Sequence, residues 1–324
     1  MARKYLVTGG TGFIGAALVL RLLSQGSTVR VLDDQSRGHP RRLSKALNQV
    51  ELVSADVRDA AAVTKAAEGM DAIIHLAAVN GTEFFYSKPE LVLDVALRGT
   101  LAVVDACRAN GIGNLVIASS SEVYQVPPMV PTPETVPISI PDISNPRYSY
   151  GGGKIAAELI GLNYGRTGFE RVTIFRPHNV YGPDMGWEHV LPQLALRVAE
   201  IDEKTPPGPI ELPIQGEGDH TRAFIHIDDF TDGLMQVIDK GRHLEIYHIG
   251  NPEERSIKDV AHLVAGCFGR QAILKPTPIP PGGTPRRSPD IAKLAALGFT
   301  PKINLADGLP SLVEWYRENR GLRP

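Results

Sequence analysis

The stretch Val7-Thr8-Gly9-Gly10-Thr11-Gly12-Phe13-Ile14-Gly15 decides the fold. The run Tyr5-Leu6-Val7-Thr8 is short, apolar and partly β-branched, the composition of a buried strand. Beyond the glycines, Ile14, Leu18, Leu22 and Leu23 fall on one helical face. Between strand and helix lies G-x-x-G-x-x-G. Gly9 permits the tight turn, Gly12 lets backbone N–H groups approach a pyrophosphate, and Gly15 lets the helix pack close to the strand. Phosphates would rest on the helix N-terminus, where unpaired N–H groups and the macrodipole favour negative charge. Alone, the pattern is a glycine-rich turn. Its place between a first strand and an amphipathic helix makes it a dinucleotide site, with Phe13 and Ile14 opening the helix beside the cofactor.

Outward from this turn, strands and helices alternate. Strands are expected at Thr28–Asp33, Val50–Val53, Ala72–Leu76 and Leu115–Ala118, with helices of about 10 to 20 residues between several of them. This is the βαβ pattern of a Rossmann-type, doubly wound parallel sheet. The expected division is an NAD-binding Rossmann domain over 1–176, to which a strand and helix at about 220–248 return. A smaller C-terminal α/β substrate-binding domain occupies mainly 177–324. Proline-rich stretches at Pro127–Pro146, Thr205–Pro213 and Pro276–Pro285 interrupt the pattern, and a loop as long as the first is more often functional than not.

Composition narrows the class. With 324 residues and 43% hydrophobic content there is ample core. No apolar run approaches the roughly 18 residues needed to span a bilayer, so no membrane partner is expected. The chain enters its first strand almost at once, leaving no room for a signal peptide, and a cytoplasmic enzyme is expected. A formal net charge of −2 argues against nucleic acid. Cys107 and Cys267 have no metal-ligand spacing and read as small core residues in a reducing compartment; no metal is expected. Arg37, Arg41 and Arg42 form a basic cluster that reads as a solvated loop.

Asp33 ends the second strand, where a carboxylate accepts hydrogen bonds from the adenine-ribose hydroxyls and repels a 2′-phosphate. That favours NAD, whereas Arg37 could pair with the extra phosphate of NADP. Asp56-Val57-Arg58-Asp59 follows strand three, where one acid can reach the adenine and another can cap the next helix. Tyr150 and Lys154, four residues apart, share a helix face, and a neighbouring ammonium favours the phenolate of a tyrosine that otherwise titrates near 10. Ser119-Ser120-Ser121-Glu122 lies at the end of strand five, the edge that faces the ligand crevice. Tyr150, Lys154, Ser120, Ser121 and Glu122 are therefore the catalytic candidates.

Here the chain resembles the extended short-chain dehydrogenase/reductase family of nucleotide-sugar epimerases, dehydratases and decarboxylases. Thr8–Gly15 is similar to its TGxxGxxG fingerprint, His75-Leu76-Ala77-Ala78 to its HxAA segment, and Tyr150 with Lys154 to its active-site pair. Arg176–Pro183 looks like RxxNxYGP, and Thr221–Asp229 like R-x-F-x-x-V-x-D. Gly250–Glu254 and Arg287-Ser288-Pro289-Asp290 resemble the UDP-glucuronate decarboxylase branch. The resemblance implies NAD contacts at Asp56, Val57, Leu76, Ala77 and Ala78 and a substrate contact at Asn179. It also implies Arg222 and Arg287 on the substrate diphosphate, which guanidinium forks suit. His178 is a substrate-side candidate by its own chemistry rather than by the resemblance: it and His189 are imidazoles that could donate or accept protons in the sugar pocket, or be packed or solvent-facing.

The chain departs from the family in places. Ala96-Leu97-Arg98-Gly99-Thr100 lacks the usual asparagine, and Ser121 competes with Ser120 for the hydroxyl role. Gly151, Gly152 and Gly153 sit between the active-site pair, where each costs a helix up to about 1 kcal/mol; they imply close approach of backbone to the cofactor or to a partner helix. Acidic residues at the place of Glu122 belong to dehydratases and decarboxylases, yet the segment after Tyr181 lacks the decarboxylases' arginine.

The expected enzyme is a homodimeric, NAD-dependent nucleotide-sugar epimerase working through a 4-keto sugar, with Tyr150 as base. The alternatives are a 4,6-dehydratase or a UDP-glucuronate decarboxylase using Glu122 at C5. A dinucleotide-sensing protein on the same fold would ordinarily lack the tyrosine or the lysine, and both are present.

Overall fold

The computed structural model describes residues 3–278 and 284–323. Part of the third proline-rich stretch, 279–283, lies outside the described residues.

The amino-terminal half runs β1 (Lys4–Thr8), α1 (Phe13–Ser24), β2 (Thr28–Leu32), β3 (Val50–Val53), α2 (Ala60–Ala66) and β4 (Ala72–His75). It continues through α3 (Thr82–Ser87), α4 (Pro89–Ala109), β5 (Asn114–Ala118), α5 (Ser149–Tyr164) and β6 (Arg171–Pro177). Then come β7 (Val180–Tyr181), α6 (Val190–Asp202), β8 (Ile210–Gln215), β9 (Thr221–Ala223), β10 (Ile225–His226), α7 (Ile227–Lys240) and β11 (Glu245–Ile249). The chain ends with β12 (Glu254–Ser256), α8 (Ile257–Gly266), β13 (Ala272–Thr277), β14 (Arg286–Arg287), α9 (Ala292–Ala295) and α10 (Leu305–Glu318).

Seven strands form one parallel sheet in the order β3-β2-β1-β4-β5-β6-β11. This is the Rossmann arrangement, whose strand order reverses on either side of β1 and β4 and opens a crevice at their carboxyl ends. Such strands are buried on both faces, so they read as apolar runs rather than alternations. One core packs α1 and α7 on one face through Leu18, Leu22, Phe230 and Leu234. A second packs α2 and α4 on the other through Val63, Val92 and Val103. A third, around Tyr181, Trp187, Leu212, Val260 and Leu309, holds α6, α8 and α10 beside the carboxyl edge of the sheet.

Some expectations shift. Asp33 and Leu76 stand just past the ends of β2 and β4, which frees both for the crevice. Pro213 lies within β8, at an exposed position of a strand that, among the described residues, pairs only with β13. Cys107 is buried, but Cys267 is exposed just after α8, so it is not a core residue. Nor is the basic cluster a solvated loop: Arg41 and Arg42 both bond the Asp184 carboxylate, Arg41 at 2.7 Å and Arg42 at 2.9 Å.

Candidate active site

At the cofactor end, Gly9 has φ +72, a conformation that side chains rarely adopt. A Cβ on Gly15 would lie 2.2 Å from the Gly9 carbonyl oxygen, so helix and turn are in backbone contact. A Cβ on Gly12 would meet only that oxygen, at 3.2 Å, and otherwise open space. Gly12 caps α1 without any side-chain hydrogen bond, so the first N–H groups of the helix are left for a ligand. The buried Asp33 carboxylate accepts from Thr11 N at 2.9 Å and from Gln35 N at 2.8 Å. It thereby ties the glycine turn to the end of β2. An open cradle at a bare helix N-terminus, with a carboxylate alongside, fits a dinucleotide.

Arg37 packs its guanidinium 4.4 Å from the Phe84 ring centroid, beside Gly81, rather than on Asp33. Leu76, Ala77 and Ala78 follow β4 at the same edge, where the Ala77 nitrogen would be 2.8 Å from a Cβ on Gly9. Val57 is buried. The two acids after β3 divide their work. Asp59 caps α2, accepting from Ala61 and Ala62, whereas Asp56 is gripped by Arg58, which also bonds Asp94.

The chemical end gathers on α5 and the end of β5. Ser120 accepts from Glu122 N at 3.1 Å and faces the Tyr150 hydroxyl; Ser121 is buried beside it. Tyr150 stacks on Phe85 with ring centroids 5.0 Å apart. Lys154 donates to the Ala118 carbonyl at 2.8 Å, with its Nζ 5.8 Å from the Tyr150 ring centroid. The expected depression of the phenol does not occur in this arrangement. Burial pushes Tyr150 up to about 12; the Ser120 hydroxyl pulls it down and Glu122 pushes it up. Burial also pushes Lys154 down to about 8, against the pull of Glu158. The ammonium lies over the ring and bonds a carbonyl, so it does little for the phenolate oxygen.

Two of the three glycines between Tyr150 and Lys154, Gly151 and Gly153, have a steric reason. A Cβ on Gly153 would be 2.8 Å from Ala96 Cβ on α4, and one on Gly151 would be 2.6 Å from Gln125 Nε2 and 3.2 Å from Glu122 O. The close approach is to a partner helix and to the turn that carries Glu122.

On the substrate side, Arg287 donates to Glu122 Oε1 at 2.6 Å, and Arg222 is its register neighbour across the β9–β14 pair. Burial opposes ionisation of Glu122, but Arg287, Arg147 and Arg222 together outweigh it and hold the carboxyl below its ordinary range. Arg222 is pushed down to about 10 by burial and by Arg287, with Glu122 opposing. A cation so destabilised favours an incoming anion. Asn179, at φ +41, spends its amide on the Ala223 carbonyl at 2.8 Å. His178 is 1% exposed, its ring edge-on to His248 at 4.6 Å; burial first, then His248 and two arginines, keep it neutral. It is packed interior rather than open crevice, which does not suit a substrate ligand.

Sequence reading missed Arg147, which faces Glu122, and the buried set in which Arg176, the first residue of the RxxNxYGP-like segment, joins Glu158, Tyr124 and His248 behind the serine turn. The spacing of Glu158, one turn beyond Lys154, and the place of Arg176 in its motif are the signals that could have found it.

The family model described as NAD dependent epimerase/dehydratase matches residues 5–250. Over 328 residues the chain is 30% identical to a dTDP-glucose 4,6-dehydratase of Streptomyces niveus, covering 98% of this chain and 94% of that protein. It is 32% identical over 322 residues to a UDP-glucose 4-epimerase of Mycolicibacterium smegmatis, covering 97% and 98%. The solved dTDP-glucose 4,6-dehydratase DesIV of Streptomyces venezuelae, with NAD bound, superposes with a TM-score of 0.86 at 29% identity, covering 98% of each chain.

Proposed function

The chain belongs to the NAD dependent epimerase/dehydratase family, enzymes that use NAD on nucleotide sugars, and within it we propose a nucleotide-sugar epimerase working through a 4-keto intermediate. One observation carries this reading: the Tyr150 and Ser120 hydroxyls face each other at the end of β5 with Lys154 one helical turn beyond, the groups that oxidation at a carbinol carbon calls on. NAD, when bound at the glycine turn, would supply the hydride acceptor and donor. Tyr150 takes the proton of the C4 hydroxyl and later returns one, with the Ser120 hydroxyl holding the oxygen in line. Arg222 and Arg287 take the diphosphate, and the lobe built mainly from 177–324 carries the nucleotide. Loss of water would need both a base at C5 and an acid at the C6 oxygen. In the serine turn Glu122 is preceded by the hydroxyls of Ser120 and Ser121 rather than by a carboxylic acid, so the turn itself offers no acid for the C6 oxygen.

The dehydratase or decarboxylase reading has one observation in its favour: Glu122 is held ionised and close enough to Tyr150 to raise its pKa. If the diphosphate draws Arg287 away, that carboxylate is free to act at C5. Incubating the protein with UDP-, GDP-, CDP- and dTDP-sugars in D₂O separates the readings. A new stereoisomer of unchanged mass, without deuterium, supports the epimerase. Loss of water or carbon dioxide, or deuterium in the sugar that Glu122→Gln abolishes, overturns it.

The active unit is proposed to be a cytoplasmic homodimer. Leu93 and Leu97 on α4 and Leu159 on the adjacent α5 are exposed, and two unpaired cysteines suit a reducing compartment. Sedimentation of the wild type, and of a Leu97→Glu variant expected to dissociate, tests the pairing.

A further inference from the structure

Tyr150, Lys154 and Glu158 recur at four-residue spacing and so share one face of α5. That face meets the end of β5 three times. The Tyr150 hydroxyl meets that of Ser120, Lys154 donates to the Ala118 carbonyl, and the Ser119 hydroxyl donates to Glu158 Oε1. Of the three helix residues, only Glu158 has no part in the chemistry so far. It is 3% exposed, and Arg176 on β6 grips both carboxylate oxygens, Nε to Oε1 at 2.8 Å and Nη2 to Oε2 at 2.6 Å. Arg176 also donates to the Tyr124 hydroxyl, which lies 2.6 Å from His248 Nε2. The His248 amide donates to Glu134 at 2.8 Å. Burying such a pair costs desolvation that apolar residues of the same volume would avoid, so packing alone does not account for it.

We infer that Glu158 is a positioning residue of the Tyr150 site: it holds the serine turn against the helix face and lends its charge to Lys154. The inference rests on the chemical roles of Tyr150 and Lys154 proposed above. Through Ser119, Glu158 fixes the neighbouring Ser120, whose hydroxyl faces the phenol. Through space, it stands one turn beyond the ammonium. On their own helix Lys154 and Glu158 are joined by Tyr150. From β4, His75 approaches Lys154; burial and then Lys154 push this imidazole down to about 3, so it is neutral. Arg176 stands behind Glu158, with Tyr124 and Glu134 beyond it. Glu158 is therefore the group that resists the loss of the Lys154 proton on burial.

The test follows the Lys154 ammonium by NMR of the NAD-loaded protein carrying [¹³Cε]lysine, with the resonance assigned by its absence in Lys154→Arg. Glu158→Gln should lower the pH at which Lys154 titrates by about one pH unit, while Glu158→Asp, which keeps the charge, should stay near wild type. The alkaline limb of kcat should move down with it. An unchanged Lys154 titration in Glu158→Gln overturns the inference. If that variant does not fold, the neutral pair Glu158→Gln with Arg176→Gln leaves no buried charge unpaired and carries the same measurement. A downward movement there supports the inference, and none overturns it. The NMR readout needs no substrate, so it stands even where the epimerase reading fails.

Discussion

Alanine at Gly12 and at Gly15 should fail in opposite ways. At Gly15 the added Cβ would lie 2.2 Å from Gly9 O and 2.8 Å from Gly10 Cα, both backbone atoms with no rotamer to escape into. Contacts under 3.0 Å do not persist, so the turn must open by about 0.8 Å. Overpacking of this kind costs about 1–3 kcal/mol. At Gly12 the only neighbour is Gly9 O at 3.2 Å, and φ −69 is open to any residue. The loss of a glycine cap costs at most about 1 kcal/mol. The new methyl, however, occupies the space before the bare helix N-terminus. Losing one charge-assisted hydrogen bond to a phosphate there costs about 1.5–3 kcal/mol, or roughly 10- to 100-fold in Kd. Calorimetric melting of the NAD-free proteins and NAD titrations measure both. Gly15→Ala should melt lower by several degrees, whereas Gly12→Ala should melt close to wild type and bind NAD 10- to 100-fold more weakly. Wild-type NAD affinity in Gly12→Ala would refute the placement of the pyrophosphate, and wild-type melting of Gly15→Ala would refute the backbone contact.

Other outcomes follow from the same site. NAD should bind at least about tenfold tighter than NADP, because the buried Asp33 carboxylate repels a 2′-phosphate and Arg37 is engaged on Phe84; competitive titration of the stripped protein decides it. Tyr150→Phe should keep NAD binding and the Phe85 stack while turnover falls by roughly 10²- to 10⁴-fold, read from progress curves on the sugar that the substrate panel identifies. The Glu122–Arg287 tie should be pH-dependent in a set direction. The folded-state pKa of Glu122 lies below its ordinary value, so its contribution is present above the ordinary carboxylate range and is lost as pH falls through the folded value. Melting of wild type against Glu122→Gln from neutral to acid pH should show the wild-type advantage shrinking below about pH 4.3, and a constant difference would contradict the pairing.

Much of this was legible in the residues alone because it is local. A strand, a glycine turn and an amphipathic helix lie within the first 24 residues, and the turn needs no distant partner to have its shape. The spacing of Tyr150 and Lys154 is likewise a property of one helix. The alternating strands carried the sheet, and the glycine turn with Asp33 at the end of the second strand carried the cofactor.

Charge and burial were not local. Glu122 and Arg287 are 165 residues apart, and Arg41 reaches Asp184 across 143 residues, so no spacing announces either pair. His178 sits beside Asn179 in the sequence, yet the turn of the chain after β6 buries its ring against His248. An ammonium near a phenol suggests a lowered phenol pKa. The fold aims that ammonium at the Ala118 carbonyl and buries both groups, so the phenol rises and the amine falls. Sequence by itself determined the elements and the identities of the chemical groups, because those depend on neighbours a few residues away. Which groups meet, and which form each prefers, was decided only by tertiary structure, because electrostatic energy depends on distance and desolvation in space rather than on separation along the chain.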